Sequence, residues 1–200
     1  MKRKKKRQLP TEGSLFLILF FVGFTAGIVW MNVWWRLQAP SVEAGGLYLL
    51  SAALNRDFST REYLFYLIKY RGIWALVLAL SGITIFGVPL AVLGTIGAGF
   101  VIGGLLTLGL LELGLKGGIL ALAFLFPQYL IYIPVLLILG RIVYQISLSG
   151  WKTMSIPAGL YRRQLVTIIF LTAVYSVGIL LENYVNPWIV NILLEKLKIF

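Results

Sequence analysis

Long apolar stretches alternate with short charged segments along this chain. The first stretch, Leu15 to Trp35, contains no charged residue. A helix that crosses the hydrocarbon core of a bilayer needs about 20 apolar residues, and a charged residue inside that core costs several kcal/mol. The pattern predicts an all-α fold, a polytopic transmembrane helical bundle.

Five spans account for this pattern. The stretch from Ile73 to Leu111 is uncharged, but it is too long for one crossing at about 1.5 Å per residue. Glycine and proline weaken a helix, so a hairpin is predicted at Gly87 and Pro89, closing by Gly94. The five predicted spans are residues 15–35, 73–88, 90–111, 117–140 and 165–181. A short sixth span near the C-terminus is the alternative.

The charged segments divide the chain into three parts. Residues 1–14 form a basic cytoplasmic N-terminus, 15–181 an integral membrane domain, and 182–200 an interfacial C-terminal tail with a helix starting at Pro187. The first apolar stretch is too long for the core of a signal peptide, which indicates an uncleaved first helix. Basic residues favour the cytoplasmic side. The run from Lys2 to Arg7 therefore places the N-terminus inside, and five spans place the C-terminus outside.

Residues 36–71 form the predicted extracytoplasmic juxtamembrane segment. Leu47, Leu50 and Leu54 fall on one helical stripe, and Ser59 with Glu62 fits a capping box that starts a second helix. Aromatic and basic side chains on that helix suit the headgroup region. The helix is either an anchor for the bundle or a partner-docking surface, whose candidate residues are Arg61, Tyr63, Tyr66, Lys69 and Arg71.

Composition restricts the chemistry. The chain has no His, no Cys and seven acidic residues, which removes the usual transition-metal ligands, cysteine nucleophiles and the Ser-His-Asp triad. No catalytic, cofactor-binding or metal site is predicted, and the chain is not expected to be an enzyme. The net charge of +11 is concentrated at the N-terminus and beside apolar spans. This charge indicates membrane lipids, not nucleic acid, as partners.

Two further patterns concern helix packing. Gly99 and Gly103 have the spacing that lets helix backbones approach closely. This spacing favours packing within one bundle, with a homo-oligomer as the alternative. Pro127, Gln128 and Pro134 predict a kink in the fourth span, because a proline inside a helix frees a backbone carbonyl. No charged residue is evident beside the kink, so a structural kink is favoured over a broken helix that lines a substrate path.

The segment Phe126 to Pro134, read FPQYLIYIP, resembles the Leu-Pro-Gln-x-x-x-x-x-Pro signature of the stage II sporulation protein M family. Supporting features keep the family's order: Lys69 to Trp74, Ile85 to Leu90, Leu115 to Gly117, and Tyr184 to Pro187. A broader family has Pro-His-Gly and a glutamate before the second proline. Gln128, Tyr129 and Ile133 stand there instead, as in the sporulation branch.

The resemblance implies a membrane protein of the engulfment machinery in endospore-forming bacteria, located in the cell membrane at the sporulation septum. It implies a non-enzymatic scaffold that recruits two peptidoglycan hydrolases, stage II sporulation proteins D and P. A transporter or channel subunit is the alternative from a different functional class. Transport of a charged solute requires ionisable groups at mid-membrane, and such groups are not evident in four of the five spans.

Overall fold

The computed structural model describes residues 12–38, 60–153 and 158–196, and every regular element in these ranges is helical. The elements are α1 (Glu12–Gln38), α2 (Thr60–Leu67), a π-helical turn (Ile68–Gly72), α3 (Ile73–Ser81), α4 (Gly87–Leu125), α5 (Tyr129–Thr153), α6 (Ala158–Tyr184) and α7 (Asn186–Lys196). Within these ranges, five helical stretches are long and apolar enough to cross a membrane: 14–37, 61–81, 87–125, 129–151 and 164–196. The prediction of an all-α polytopic bundle is confirmed.

The core of the bundle is built around α5. Leu139, Val143 and Ile146 of this helix are buried against Phe16 of α1 and Leu78 of α3. The outer surfaces carry large apolar side chains on nearly every helix. A helix that is apolar all round belongs in lipid or in a large protein core, so this outward apolar surface is the lipid-facing one.

Helices α1 and α4 pack in parallel through two pairs of glycines. A Cβ added at Gly23 would overlap the carbonyl oxygen of Ile96, and one added at Gly99 would overlap that of Phe20. Gly27 and Gly103 are blocked in the same way by Phe100 and Phe24. Only glycine permits this backbone approach, so the small-residue spacing at Gly99 and Gly103 serves packing inside this bundle.

The turn between α3 and α4 lies at residues 82–86, earlier than the predicted hairpin. Gly87 and Pro89 instead form the first turn of α4, where a proline is tolerated because the first amide groups of a helix have no intrahelical acceptor. The turn is held by α5: the Ser147 hydroxyl donates to the Thr84 carbonyl at 2.7 Å and the Trp151 indole donates to the Ile85 carbonyl at 2.9 Å.

Helix α4 is broken at Gly114, which has φ +59. Beyond this residue the chain folds back, and Gly117 lies directly against Gly109. Further along, Gly140 faces Thr95 and the Val88 amide donates to Ser147. Residues 115–125 and then α5 therefore run antiparallel to residues 87–113 and together form the fourth span.

Other boundaries differ from the predicted ones. The second span does not start at Ile73, because α2, the π-helical turn and α3 form one uninterrupted helix from Thr60 to Ser81. The fourth and fifth spans extend further toward the C-terminus than predicted. The tail helix α7 starts one residue before Pro187. Leu47, Leu50, Leu54 and Ser59 lie outside the described residues.

Candidate functional site at the broken fourth span

An ion pair joins the second and fifth spans inside the bundle. Arg71 Nη2 lies 2.7 Å from Glu182 Oε1, and the Glu182 side chain is only 6% exposed. Arg71 belongs to the π-helical turn. Single π-helical turns within α-helices frequently occur at functional sites. The two residues are 111 positions apart in the chain, so this contact fixes tertiary structure.

Tyrosines of α5 complete the network around the ion pair. The Tyr132 hydroxyl donates to Glu182 Oε2 at 2.9 Å, and Arg71 Nη1 donates to the Tyr129 hydroxyl at 3.3 Å. The guanidinium carbon of Arg71 lies 5.4 Å and 5.2 Å from the ring centroids of Tyr129 and Tyr132. Aromatic faces attract a cation more strongly when both are removed from water. Hydrogen bonds and ring contacts from α5 therefore stabilise both charges of the pair.

The depth of the ion pair makes it informative. Arg71 is ten residues from Arg61 and ten from Ser81, the two ends of its span. At about 1.5 Å per residue this is about 15 Å along the helix from either end. Ionisable residues at such depth are rare and commonly mark functional sites.

The helix break lies next to this network. Residues 126–128 separate α4 from α5, and the Phe126–Pro127 peptide bond is cis. The Gln128 side-chain amide donates to the Phe124 carbonyl. The Asn186 side-chain amide donates to the carbonyls of Ala123 at 2.6 Å and Phe126 at 2.8 Å. Buried amide side chains thus satisfy carbonyls left open where the helix ends, as membranes require.

Some polar atoms at this level have no hydrogen-bond partner among the described residues. They are Gln128 Oε1 and both side-chain amide atoms of Asn183. Gln128 is 1% exposed and Asn183 4% exposed. A buried polar atom without a partner destabilises a protein by about 1–3 kcal/mol. The centre of the bundle is therefore more polar than packing alone requires.

A cavity of about 520 Å³ opens on the other side of Arg71. It lies between α3, α4 and α5, with apolar walls formed by residues such as Leu78, Leu93 and Leu136. Arg71, Tyr129, Tyr132 and Tyr175 line it as well. Volumes of about 300–1,000 Å³ with mostly apolar walls and a few convergent polar groups are typical of ligand pockets.

The structure separates the residues that the sequence grouped as a candidate partner surface. Arg61, Tyr66 and Lys69 are exposed and Tyr63 is half-buried. Arg71 points inward to Glu182 and is not part of that outer face. Whether the outer face binds a partner stays a prediction.

The expectation that no charge lies beside the kink is wrong. Arg71 is hydrogen-bonded to Tyr129, and Glu182 is hydrogen-bonded to Tyr132. Both tyrosines follow closely after Pro127 and Gln128. Pro134 lies inside α5 without ending it. Glu182, Asn183 and Asn186 were not singled out from the sequence. The available signal was a cluster of polar residues at the end of an apolar run.

Together, the helical fold and this site define a polytopic membrane protein with a broken fourth span. The sequence model of the family described as Stage II sporulation protein M matches residues 16–187 of the chain. The chain belongs to that family. Comparison with curated proteins and with solved structures found no match. Among the described residues, no group of three or more acidic, His or Cys side chains is arranged to hold a metal ion.

Proposed function

We propose that this protein is a non-enzymatic scaffold of the sporulation engulfment machinery, which recruits and organises peptidoglycan hydrolases at the septal membrane. Membership of the stage II sporulation protein M family carries the proposal. The partners are hydrolases of the type of stage II sporulation proteins D and P. Wall cleavage belongs to these partners, since the chain has no His or Cys and only seven acidic residues.

The outer face formed by α2 and the π-helical turn that follows it supports the scaffold role. The rings of Tyr63 and Tyr66 stack with centroids 6.4 Å apart, and those of Tyr66 and Tyr70 lie 4.4 Å apart. The Lys69 ammonium lies 5.9 Å from the Tyr70 ring. Aromatic and basic side chains that are already ordered lose little entropy on binding, and aromatic residues are enriched at binding hot spots. We assign partner contact to this face.

The test is co-purification from detergent-solubilised sporulating cells. Wild-type protein should bring down a membrane-anchored hydrolase and should itself have no activity on peptidoglycan. Arg61→Glu with Lys69→Glu should reduce hydrolase capture while the protein still inserts, since each change replaces one ionised side chain by another and the number of charged groups in the span stays the same. Arg162→Glu, an exposed residue on the predicted cytoplasmic side, is the matched control and should capture normally. Unchanged capture by the double variant would exclude this outer face as the docking surface.

One observation favours a second candidate function, transport. A mid-span ion pair beside a broken helix and a cavity is an arrangement that membrane transporters use. The cavity walls are mostly apolar, so the cargo would be apolar or amphiphilic. Flux in liposomes containing the purified protein, without hydrolase capture from cells, would favour transport over the scaffold role.

A further inference from the structure

We propose that the cavity beside Arg71 binds a neutral, long-chain amphiphile, with its hydrocarbon chain along the apolar walls and its polar head at Arg71. This site goes beyond hydrolase recruitment and does not depend on it. The argument uses the shape of the cavity, the polar groups at one end of it and the charge balance there.

The shape favours a hydrocarbon chain over a helix. On α4 the wall runs from Leu90 to Ile102, which is about 18 Å at 1.5 Å per residue. This is close to the thickness of one leaflet, whereas a partner helix that crosses the membrane needs about 30 Å. Gly94 and Gly97 are part of this wall and indent it, because neither has a side chain. A Cβ at either position would meet no atom within 4 Å.

The polar end offers hydrogen-bond donors to a ligand. Arg71 carries five donors, of which Glu182, Tyr129 and Tyr175 engage three. The Arg71 side chain is still 30% exposed, and it lines the cavity. The rings of Tyr132 and Tyr175, 4.5 Å apart, form the adjoining wall. A ligand head with an acceptor oxygen therefore finds donors at this end.

Charge balance selects a neutral head. Glu182 already neutralises Arg71 at 2.7 Å. A carboxylate or phosphate at the same place would add an unpaired negative charge in a low-dielectric region, where such a charge is costly. A hydroxyl or ester oxygen accepts a hydrogen bond without that cost. The ligand class is thus a fatty alcohol, an acylglycerol or a similar neutral lipid.

The test uses full-length protein in lipid nanodiscs and a fatty alcohol that carries a diazirine along its chain. After irradiation, labelled peptides should map to the cavity walls on α3, α4 and α5. Gly97→Leu fills the cavity from an open position and should reduce this labelling about tenfold. Ala173→Leu, which introduces the same side chain at an exposed position of α6, should not. Labelling spread over the lipid-facing surface of α1, or unaffected by Gly97→Leu, would overturn the proposal.

Competition identifies the head and its source. Hexadecanol and palmitoylglycerol should displace the probe at least about tenfold more effectively than palmitate. Stronger competition by hexadecanol would indicate a fatty alcohol as the bound lipid, and stronger competition by palmitoylglycerol an acylglycerol. Either result supports the site. In Glu182→Gln, measured below its unfolding temperature, Arg71 is unpaired and the preference should shift toward palmitate. Stronger competition by palmitate in the wild-type protein would overturn the neutral head, and crosslinks from the cavity to a co-purified helix would assign it to a protein partner instead.

Discussion

Replacing Glu182 by Gln would leave Arg71 as an unpaired cation near the middle of its span. The carboxylate accepts from Arg71 at 2.7 Å and from the Tyr132 hydroxyl at 2.9 Å, so one substitution weakens both contacts. Removing one partner of a buried ion pair costs about 3–5 kcal/mol. For a protein of this size, about 1 kcal/mol lowers Tm by about 2–4 °C, which gives an expected loss of roughly 6–20 °C.

The assay is thermal unfolding of detergent-purified protein, followed by the loss of the monodisperse peak in size-exclusion chromatography. Glu195→Gln, at an exposed position of α7, is the matched control and should leave Tm unchanged. Replacing both Arg71 and Glu182 by Met removes both charges and keeps similar volume. A buried ion pair is often no more stabilising than apolar residues of its size. The double variant should therefore unfold at a higher temperature than Arg71→Met alone or Glu182→Met alone. A Glu182→Gln protein within 2 °C of wild type would refute the structural role assigned to the pair.

Three other outcomes are expected. Gly99→Leu drives a side chain into the backbone of α1 and should cost about 1–3 kcal/mol or prevent folding, whereas Gly97→Leu, which meets open space, should give normal amounts of folded protein on the same chromatography. Gln128→Leu removes the donor to the Phe124 carbonyl and should lower protein amount and partner recruitment together, at a cost of about 1–2 kcal/mol; normal amounts with normal recruitment but no function would indicate gating. A reporter active only in the cytoplasm, fused after Phe200, should be inactive if the chain has five spans with its N-terminus inside, and an active fusion would mean six spans or the opposite orientation.

Local pattern was sufficient for the helices and for the break. The run of apolar residues located the spans, and Pro127 with Gln128 located the interruption of the fourth one, because both signals act within a few residues of the chain. The tail helix beginning at Asn186 was also evident, from Pro187. The turn after α3 was misplaced, because Gly87 and Pro89 are as suitable for the first turn of a helix as for a hairpin.

The contacts between distant residues could not be predicted in this way. Arg71 follows Lys69 and looks like a residue at the edge of a span, and Glu182 ends an apolar run in the same manner. Their pairing depends on how α6 is oriented against the π-helical turn, which no local pattern specifies. The glycine spacing at Gly99 and Gly103 indicated close packing, but the partner helix, α1, appeared only in the structure.

The scaffold proposal is tested most directly by flotation with purified components. Proteoliposomes that contain this protein are mixed with a full-length, membrane-anchored hydrolase in detergent below its solubilising concentration, and the liposomes are floated through a density gradient. The proposal predicts that the hydrolase floats with wild-type and Arg162→Glu proteoliposomes well above its level with empty liposomes, and that Arg61→Glu with Lys69→Glu removes the excess. Equal flotation with empty and protein-containing liposomes would contradict it.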